Sequence, residues 1–84
     1  MELKELRNKI DEIDQELVKL IEKRIEIVKE IGKYKKEHNL PILDQNREDE
    51  VINKNIAYLK DPTNVNSYKE IIIKIMEVSK NIEK

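Results

Sequence analysis

The chain has no cysteine, one glycine and two prolines, and three tyrosines are its only Phe, Trp or Tyr residues. Without cysteine, disulfide bonds, a thiolate nucleophile and a cysteine-ligated zinc site are excluded. The shortage of glycine and aromatic residues argues against strands joined by tight turns and favours a helical bundle. The formal net charge of −1 lacks the basic excess that is typical of nucleic-acid binding. We therefore expect an all-α protein with no nucleic-acid partner.

Long apolar runs are missing as well. No stretch of about eighteen apolar residues is present and the N-terminus carries no signal-peptide core, so we expect a soluble, cytoplasmic protein that does not enter membranes. The one histidine, His38, has no second histidine or cysteine to join it in a metal site, and no metal is expected. At 84 residues the chain is expected to form a single domain spanning positions 1–84.

A regular apolar pattern runs through the first 34 residues. Large apolar side chains recur in steps of three and four, a period typical of a helix that packs against partner helices. We call this surface the seam, and its positions are Leu3, Leu6, Ile10, Ile13, Leu17, Leu20, Arg24, Ile27, Ile31 and Tyr34. Arg24 is the charged exception, and burying a guanidinium is costly unless an anion meets it. The pattern predicts either a structural ion pair at Arg24 or a binding site for an anion.

The seam predicts a first helix from about Glu2 to about His38, ended by Asn39 and Pro41. At about 1.5 Å per residue this helix is roughly 50 Å long, too long for the rest of so short a chain to cover. A second copy of the same helix is the simplest partner, so we expect a homodimer. Gly32 lies inside the helix at a cost of about 1 kcal/mol relative to alanine, which predicts either a close backbone approach or clearance for a ligand.

Two shorter helices are expected after Asn39 and Pro41, which end the first helix. Asp44 is a suitable N-cap for a second helix that continues to Leu59. Residues 63–66 are expected to form a polar loop, with the cap of a third helix at position 66 or 67. The third helix is expected to reach the C-terminus. The predicted architecture is thus all-α, with one very long helix and two shorter ones per chain.

The spacing of three cations predicts where an anion would bind. Arg24 and Lys35 lie eleven residues apart on one face of the first helix, about 16 Å from each other, so that both side chains can grip one small dianion. Arg7 lies seventeen residues before Arg24, about 25 Å away, and cannot reach that ligand in the same chain. If two first helices pair antiparallel, Arg7 of one meets the Arg24 region of the other. The geometry predicts a site shared across a dimer, but it names no reaction.

Five motifs follow one another along the chain: Leu6-Arg7-x-x-Ile10-Asp11-x-Ile13-Asp14-x-x-Leu17, Leu20-Ile21-x-x-Arg24, Ile31-Gly32-x-x-Lys35, Pro41-Ile42-x-Asp44-x-x-Arg47-Glu48 and Ile75-Met76-Glu77-x-Ser79. Each motif is weak by itself. Together, in this order and at this spacing, they resemble the all-helical chorismate mutases over nearly the whole chain.

The resemblance implies an enzyme that converts chorismate to prephenate without a cofactor, on the way to phenylalanine and tyrosine. It also implies an interlocked homodimer with two active sites. In each site Arg24 of one chain and Arg7 of the other would bind the two carboxylates of chorismate, while Lys35 would bind the ether oxygen and a carboxylate. Glu48 would accept a hydrogen bond from the ring hydroxyl of chorismate. The residues that complete the implied pocket are Asp44, Arg47 and Ser79.

Glu83 lies four residues after Ser79 and stacks on the same helix face. Many bacterial members of the family that the chain resembles have glutamine at this position, and fungal members have glutamate. To assist at the ether oxygen, Glu83 must donate a hydrogen bond, which only a protonated carboxyl group can do. We therefore expect turnover to depend on protonated Glu83.

Two other functions remain open from the sequence. Isochorismate-pyruvate lyases share the fold of these mutases, and a non-catalytic helical module for dimerisation or metabolite sensing would show the same apolar pattern. A chain of this length has no room for an additional allosteric domain, so we expect no feedback control.

Overall fold

A computed structural model describes residues 2–84, which form three α-helices and one short 3-10 helix, with no β-strand in that range. In chain order the elements are α1 (Leu3–Glu37), α2 (Gln45–Ile56), the 3-10 helix (Pro62–Asn64) and α3 (Val65–Glu83). None of these helices has the combination of length and apolarity needed to span a membrane. The predicted all-α architecture with one very long helix is confirmed.

The end of α1 lies where the sequence predicts it, in a cap built on Asn39. This residue has a φ of 54°, a left-handed conformation that asparagine adopts more readily than most residues. The amide of Leu40 donates to the carbonyl of Lys35 at 2.8 Å, and the amide of Asn39 donates to the carbonyl of Lys36 at 3.4 Å. These bonds satisfy two carbonyls that the helix end would otherwise leave unpaired, and Pro41 keeps the helix from resuming.

The start of α2 is as predicted, but its end is not. The carboxylate of Asp44 accepts a hydrogen bond from the amide of Arg47 at 3.0 Å and caps the helix. The prediction that α2 continues to Leu59 is wrong, because the helix ends at Ile56. Beyond it the amides of Tyr58 and Leu59 each bond three residues back, at 3.0 Å, which tightens the chain into a turn.

The prediction of a loop at residues 63–66 is also wrong. The carboxylate of Asp61 accepts hydrogen bonds from the hydroxyl of Thr63 at 2.7 Å and from its amide at 2.9 Å, and it caps the 3-10 helix. These bonds, the hydroxyl's above all, lower the pKa of Asp61. Because the 3-10 turn leads directly into α3, this helix begins at Val65 and needs no separate cap at position 66 or 67.

The small core lies around α3, which packs on both α1 and α2. Val28 of α1 is buried, as are Ile72, Met76 and Ser79 of α3. Before Arg24, every described residue of α1 is exposed. The molecule is 54 Å long and has a radius of gyration of 15.9 Å, compared with about 12 Å for a compact chain of this length. Most of the seam is therefore uncovered in a single chain.

Gly32 is buried where the C-terminal end of α3 crosses α1. A methyl carbon added at this position would lie 2.9 Å from Cα of Glu83 and 3.0 Å from its carbonyl oxygen. The absence of a side chain lets the two helix backbones come this close. Of the two interpretations that the sequence allowed for Gly32, a close backbone approach is confirmed.

Replacing Gly32 with alanine tests this contact. The added methyl group meets backbone atoms, so the end of α3 must shift, and such overpacking costs about 1–3 kcal/mol. Alanine offsets about 1 kcal/mol of that cost through its helix propensity. We expect the free energy of unfolding to fall by roughly 1 kcal/mol, measured by urea denaturation at one fixed protein concentration.

The exposed neighbour Lys33 provides the control for this substitution, since Lys33→Ala should change stability by less than about 0.5 kcal/mol. A more stable Gly32→Ala protein would mean that helix propensity outweighs the contact and that α3 does not press on this glycine.

Candidate active site

A pocket of about 170 Å³ opens between the three α-helices. Four cationic side chains, three carboxylates and one hydroxyl form its polar wall: Arg24, Lys35, Arg47, Lys80, Asp44, Glu48, Glu83 and Ser79. Its apolar wall is formed by Val28, Ile31, Ile42, Val51 and Met76. The mixture of cations and an apolar surface suits a small organic anion.

Arg24 is half-buried and points from α1 towards α3. Its guanidinium donates a hydrogen bond to the hydroxyl of Ser79, which in turn donates to the carbonyl of Ile75 at 2.7 Å. Arg24 forms no salt bridge with any carboxylate of residues 2–84. A guanidinium has five N–H donors and cannot lose its charge, so the contact with Ser79 leaves most of its binding capacity unused. Arg24 therefore has no ion pair within the described chain, and it can accept an anion from outside it.

Lys35 lies about three turns further along α1 and is held by two groups. Its ammonium donates to the carbonyl of Ile42 at 2.8 Å and lies 2.6 Å from Oε1 of Glu83. Only 19% of the Lys35 side chain and 9% of the Glu83 side chain are exposed. Apart from this ion pair, the buried Oε1 of Glu83 has no hydrogen-bond partner among residues 2–84. The charge of Lys35 therefore compensates the burial of this carboxylate.

A second ion pair closes the side of the pocket that α2 forms. The ammonium of Lys80 lies 3.2 Å from Oε1 and 3.5 Å from Oε2 of Glu48. Two neighbouring residues that also line the pocket have partners of their own: Arg47 pairs with the exposed Glu50 at 2.7 Å, and Asp44, which precedes α2, caps the helix. Glu48 is the one carboxylate within α2 itself that lines the pocket.

The pocket offers binding and orientation rather than bond-making side chains. Ser79 carries its one hydroxyl, whose proton goes to the carbonyl of Ile75 and which has no histidine beside it. Within the described residues, no group of three or more histidine, aspartate or glutamate side chains is placed to hold a metal ion. The cations of the pocket can bind anionic groups, and its carboxylates can accept hydrogen bonds.

A protein-family model described as chorismate mutase type II matches residues 6–84. The chain belongs to this family. A bifunctional chorismate mutase/prephenate dehydratase from Aquifex aeolicus (strain VF5) is 37% identical over 90 aligned residues, which cover 98% of this chain and 25% of the relative. A chorismate mutase from Methanocaldococcus jannaschii is 44% identical over 46 residues, which cover 55% of this chain and 46% of the relative.

A solved structure has the same fold. It belongs to a conserved hypothetical protein from Pyrococcus furiosus, with a TM-score of 0.80, 44% identity, and coverage of 98% of this chain and 95% of that chain. The two named relatives are longer than this chain, which spans a quarter of the length of the Aquifex protein and less than half of the Methanocaldococcus protein. The resemblance to the all-helical chorismate mutases is thus confirmed at the level of the family.

The fold brings together seven of the eight residues that the sequence predicts for a chorismate mutase site. The seven that line the pocket are Arg24, Lys35, Asp44, Arg47, Glu48, Ser79 and Glu83. Arg7 is the exception, because it is exposed and lies about 25 Å from Arg24 along α1. No side chain of the same chain can bridge that distance, so any role of Arg7 in a chorismate mutase site requires another copy of the chain, and its role stays a prediction.

Two polar groups of the pocket were missed by the sequence analysis. Lys80 belongs to no motif, and it meets Glu48 across a separation of 32 residues. The one available signal was its position three residues before Glu83, which makes the two side chains neighbours on α3. The carbonyl of Ile42 is a backbone group, so no residue pattern marks it as the acceptor for Lys35.

Proposed function

We propose that this protein converts chorismate to prephenate in the cytoplasm, on the route to phenylalanine and tyrosine and without a cofactor. The observation that carries the proposal is the half-buried Arg24, which has no carboxylate partner in residues 2–84 and shares a pocket with Lys35. Chorismate has two carboxylates, one of which can supply that partner. Membership of the chorismate mutase type II family supports the same reaction.

The reaction needs orientation and charge rather than a nucleophile. In this pericyclic rearrangement one C–O bond breaks while one C–C bond forms, and no proton is transferred. The substrate must be folded into a chair-like conformer in which the two reacting carbons meet. Cations that hold the two carboxylates at a set separation favour that conformer and so lower the entropic part of the barrier. Arg24 and Lys35 are the cations of this chain that we assign to this role.

Negative charge grows on the ether oxygen as the C–O bond breaks. A hydrogen-bond donor that is already in place stabilises this charge, and it does so more strongly where water is excluded. We assign this role to the ammonium of Lys35, which is largely buried, with the carboxyl group of Glu83 beside it. We assign Glu48 as the acceptor for the ring hydroxyl, and Asp44, Arg47 and Ser79 as the residues that complete the pocket.

A second copy of this chain is the partner that we propose for the uncovered half of α1. Leu3, Ile13 and Leu20 are each about three-fifths exposed, and contiguous apolar surface of this kind is typical of an interface. Antiparallel pairing of two α1 helices would bury both seams. The same pairing would place Arg7 of one copy beside Arg24 of the other, so that each site takes residues from both chains.

Mixing the purified protein with chorismate is the direct test of the activity. We expect the ultraviolet absorbance of chorismate to fall faster than in buffer, with prephenate as the product by chromatography. Arg24→Leu is a matched variant, because leucine continues the apolar seam; it should fold and dimerise but not accelerate the reaction. An inactive wild-type protein would favour the alternative of a non-catalytic module for dimerisation or metabolite sensing. Release of pyruvate from isochorismate would identify a lyase.

Mixing two inactive variants tests the shared site. Arg7→Ala and Arg24→Ala should each lose nearly all activity. After co-refolding in equal amounts, about half of the dimers are heterodimers, in which one site has both arginines and the other has neither. We expect about one quarter of the wild-type activity to return, with the heterodimer fraction measured by native mass spectrometry.

Arg24→Ala mixed with Lys35→Ala is the control for this experiment. Both residues belong to the same chain's half of the site, so no heterodimer contains a complete site and activity should stay low. Failure of the Arg7→Ala and Arg24→Ala mixture to recover, with heterodimers present, would show that Arg7 does not complete the site of another copy.

Replacing Glu83 with glutamine tests its role at the ether oxygen. Only a protonated carboxyl group can donate a hydrogen bond there, whereas the amide of glutamine has a similar shape and is always a donor. We therefore expect Glu83→Gln to stay active, measured as kcat/KM for chorismate. Glu70→Gln changes an exposed carboxylate of the same helix and should leave kcat/KM unchanged. Loss of activity in Glu83→Gln alone would show that the site needs the carboxylate of Glu83 rather than a hydrogen-bond donor.

A further inference from the structure

Lys80 is a charged residue of the pocket to which the proposed reaction assigns no role. It follows Ser79 on α3 and is partly buried, with 34% of its side chain exposed. Its ammonium spans both carboxylate oxygens of Glu48, at 3.2 and 3.5 Å, and so links α3 to α2. Glu48 is the more buried partner, with 19% of its side chain exposed.

The ion pair restrains Glu48 without consuming it as an acceptor. A carboxylate has about four lone-pair positions on its two oxygens, and an ammonium that lies astride both oxygens uses the two that face each other. The outer lone pair on each oxygen remains to accept a hydrogen bond from a hydroxyl group. Without Lys80, the flexible side chain of Glu48 would lose its restraint and would be repelled by a dianionic ligand in the same pocket.

We propose that Lys80 is a positioning residue, which holds the carboxylate of Glu48 where it accepts the hydrogen bond of the substrate's ring hydroxyl. The inference rests on the proposed function, because that function supplies the hydroxyl. We assign Lys80 to Glu48 rather than to a substrate carboxylate because its ammonium spans both oxygens of that side chain, at 3.2 and 3.5 Å. Arg24, by contrast, has no such partner among the described residues.

A double-mutant cycle tests the inference. Lys80→Met keeps the length of the side chain and removes its charge, and we expect kcat/KM for chorismate to fall about tenfold, the loss typical of a misplaced charged hydrogen bond. In a Glu48→Gln background the same substitution should have almost no further effect, because the carboxylate that it positions is absent. Lys80→Arg retains a cation and should recover most of the activity.

A substrate analogue and a matched lysine separate positioning from a general structural effect. On a chorismate analogue that lacks the ring hydroxyl, Lys80→Met should lose clearly less activity relative to wild type than it loses on chorismate. Lys74→Met removes an exposed lysine of α3 that pairs with Glu77, and it should leave the activity towards chorismate unchanged. Circular dichroism and melting temperature verify that each variant is folded, and Lys80→Gln replaces Lys80→Met if the latter does not fold.

Three results would overturn the inference. Equal losses in the wild-type and Glu48→Gln backgrounds would show that Lys80 contacts the substrate itself. Unchanged activity in Lys80→Met would show that the ion pair does not position Glu48. An equal loss on the analogue without the hydroxyl would show a structural effect. A wild-type protein without turnover would overturn the proposed function as well, whereas an active wild type with an unaffected Lys80→Met would overturn this inference alone.

Discussion

The charge of Arg24 is the constraint on which the rest of this structure depends. A guanidinium stays ionised in any surroundings, and here it is half-buried on an apolar helix face, where Ser79 accepts one hydrogen bond but supplies no opposite charge. Lys35, Arg47 and Lys80 each have a carboxylate partner in the chain. Arg24 is therefore the one cation of the pocket without a carboxylate partner among residues 2–84. In the function that we propose, a carboxylate of the ligand supplies that partner, so that ligand recognition also offsets the burial of Arg24.

The two ends of α1 have different surroundings. From Arg24 onwards the helix packs on α3 and builds the pocket, whereas the preceding residues expose the seam and Arg7. A chain of 84 residues cannot cover a helix about 50 Å long and also enclose a substrate. In the dimer that we propose, pairing of the two α1 helices would both cover the seam and complete the site, because the helix that covers the seam also carries Arg7 of the other copy. Stability and catalysis would then depend on the same interface.

The crossing of α1 and α3 controls the other end of the pocket. Gly32 lets the backbone of Glu83 approach closely, and the same approach brings the Glu83 carboxylate within 2.6 Å of Lys35. The glycine weakens α1 locally, yet it allows a buried carboxyl group and a buried ammonium to meet in the wall of the pocket. Periodicity in the sequence marked Gly32 as unusual and left two explanations open. The choice between them depended on where α3 crosses α1, which is a property of the packed structure.

The sequence by itself determined the features that arise from interactions between near neighbours. The spacing of apolar residues predicted α1, and it placed Arg24 and Lys35 on one face of that helix. The cap at Asp44 was also predictable, because it is a hydrogen bond between residues only three positions apart. The sequence-based prediction failed at the end of α2 and at the turn before α3, where the capping of a 3-10 helix by Asp61 and Thr63 was a local signal that was not recognised. Only the tertiary structure decided that Lys80 meets Glu48 and that Arg24 meets no carboxylate. These pairings join residues that are distant in the chain, and their partners are set by how α3 lies against α1 and α2.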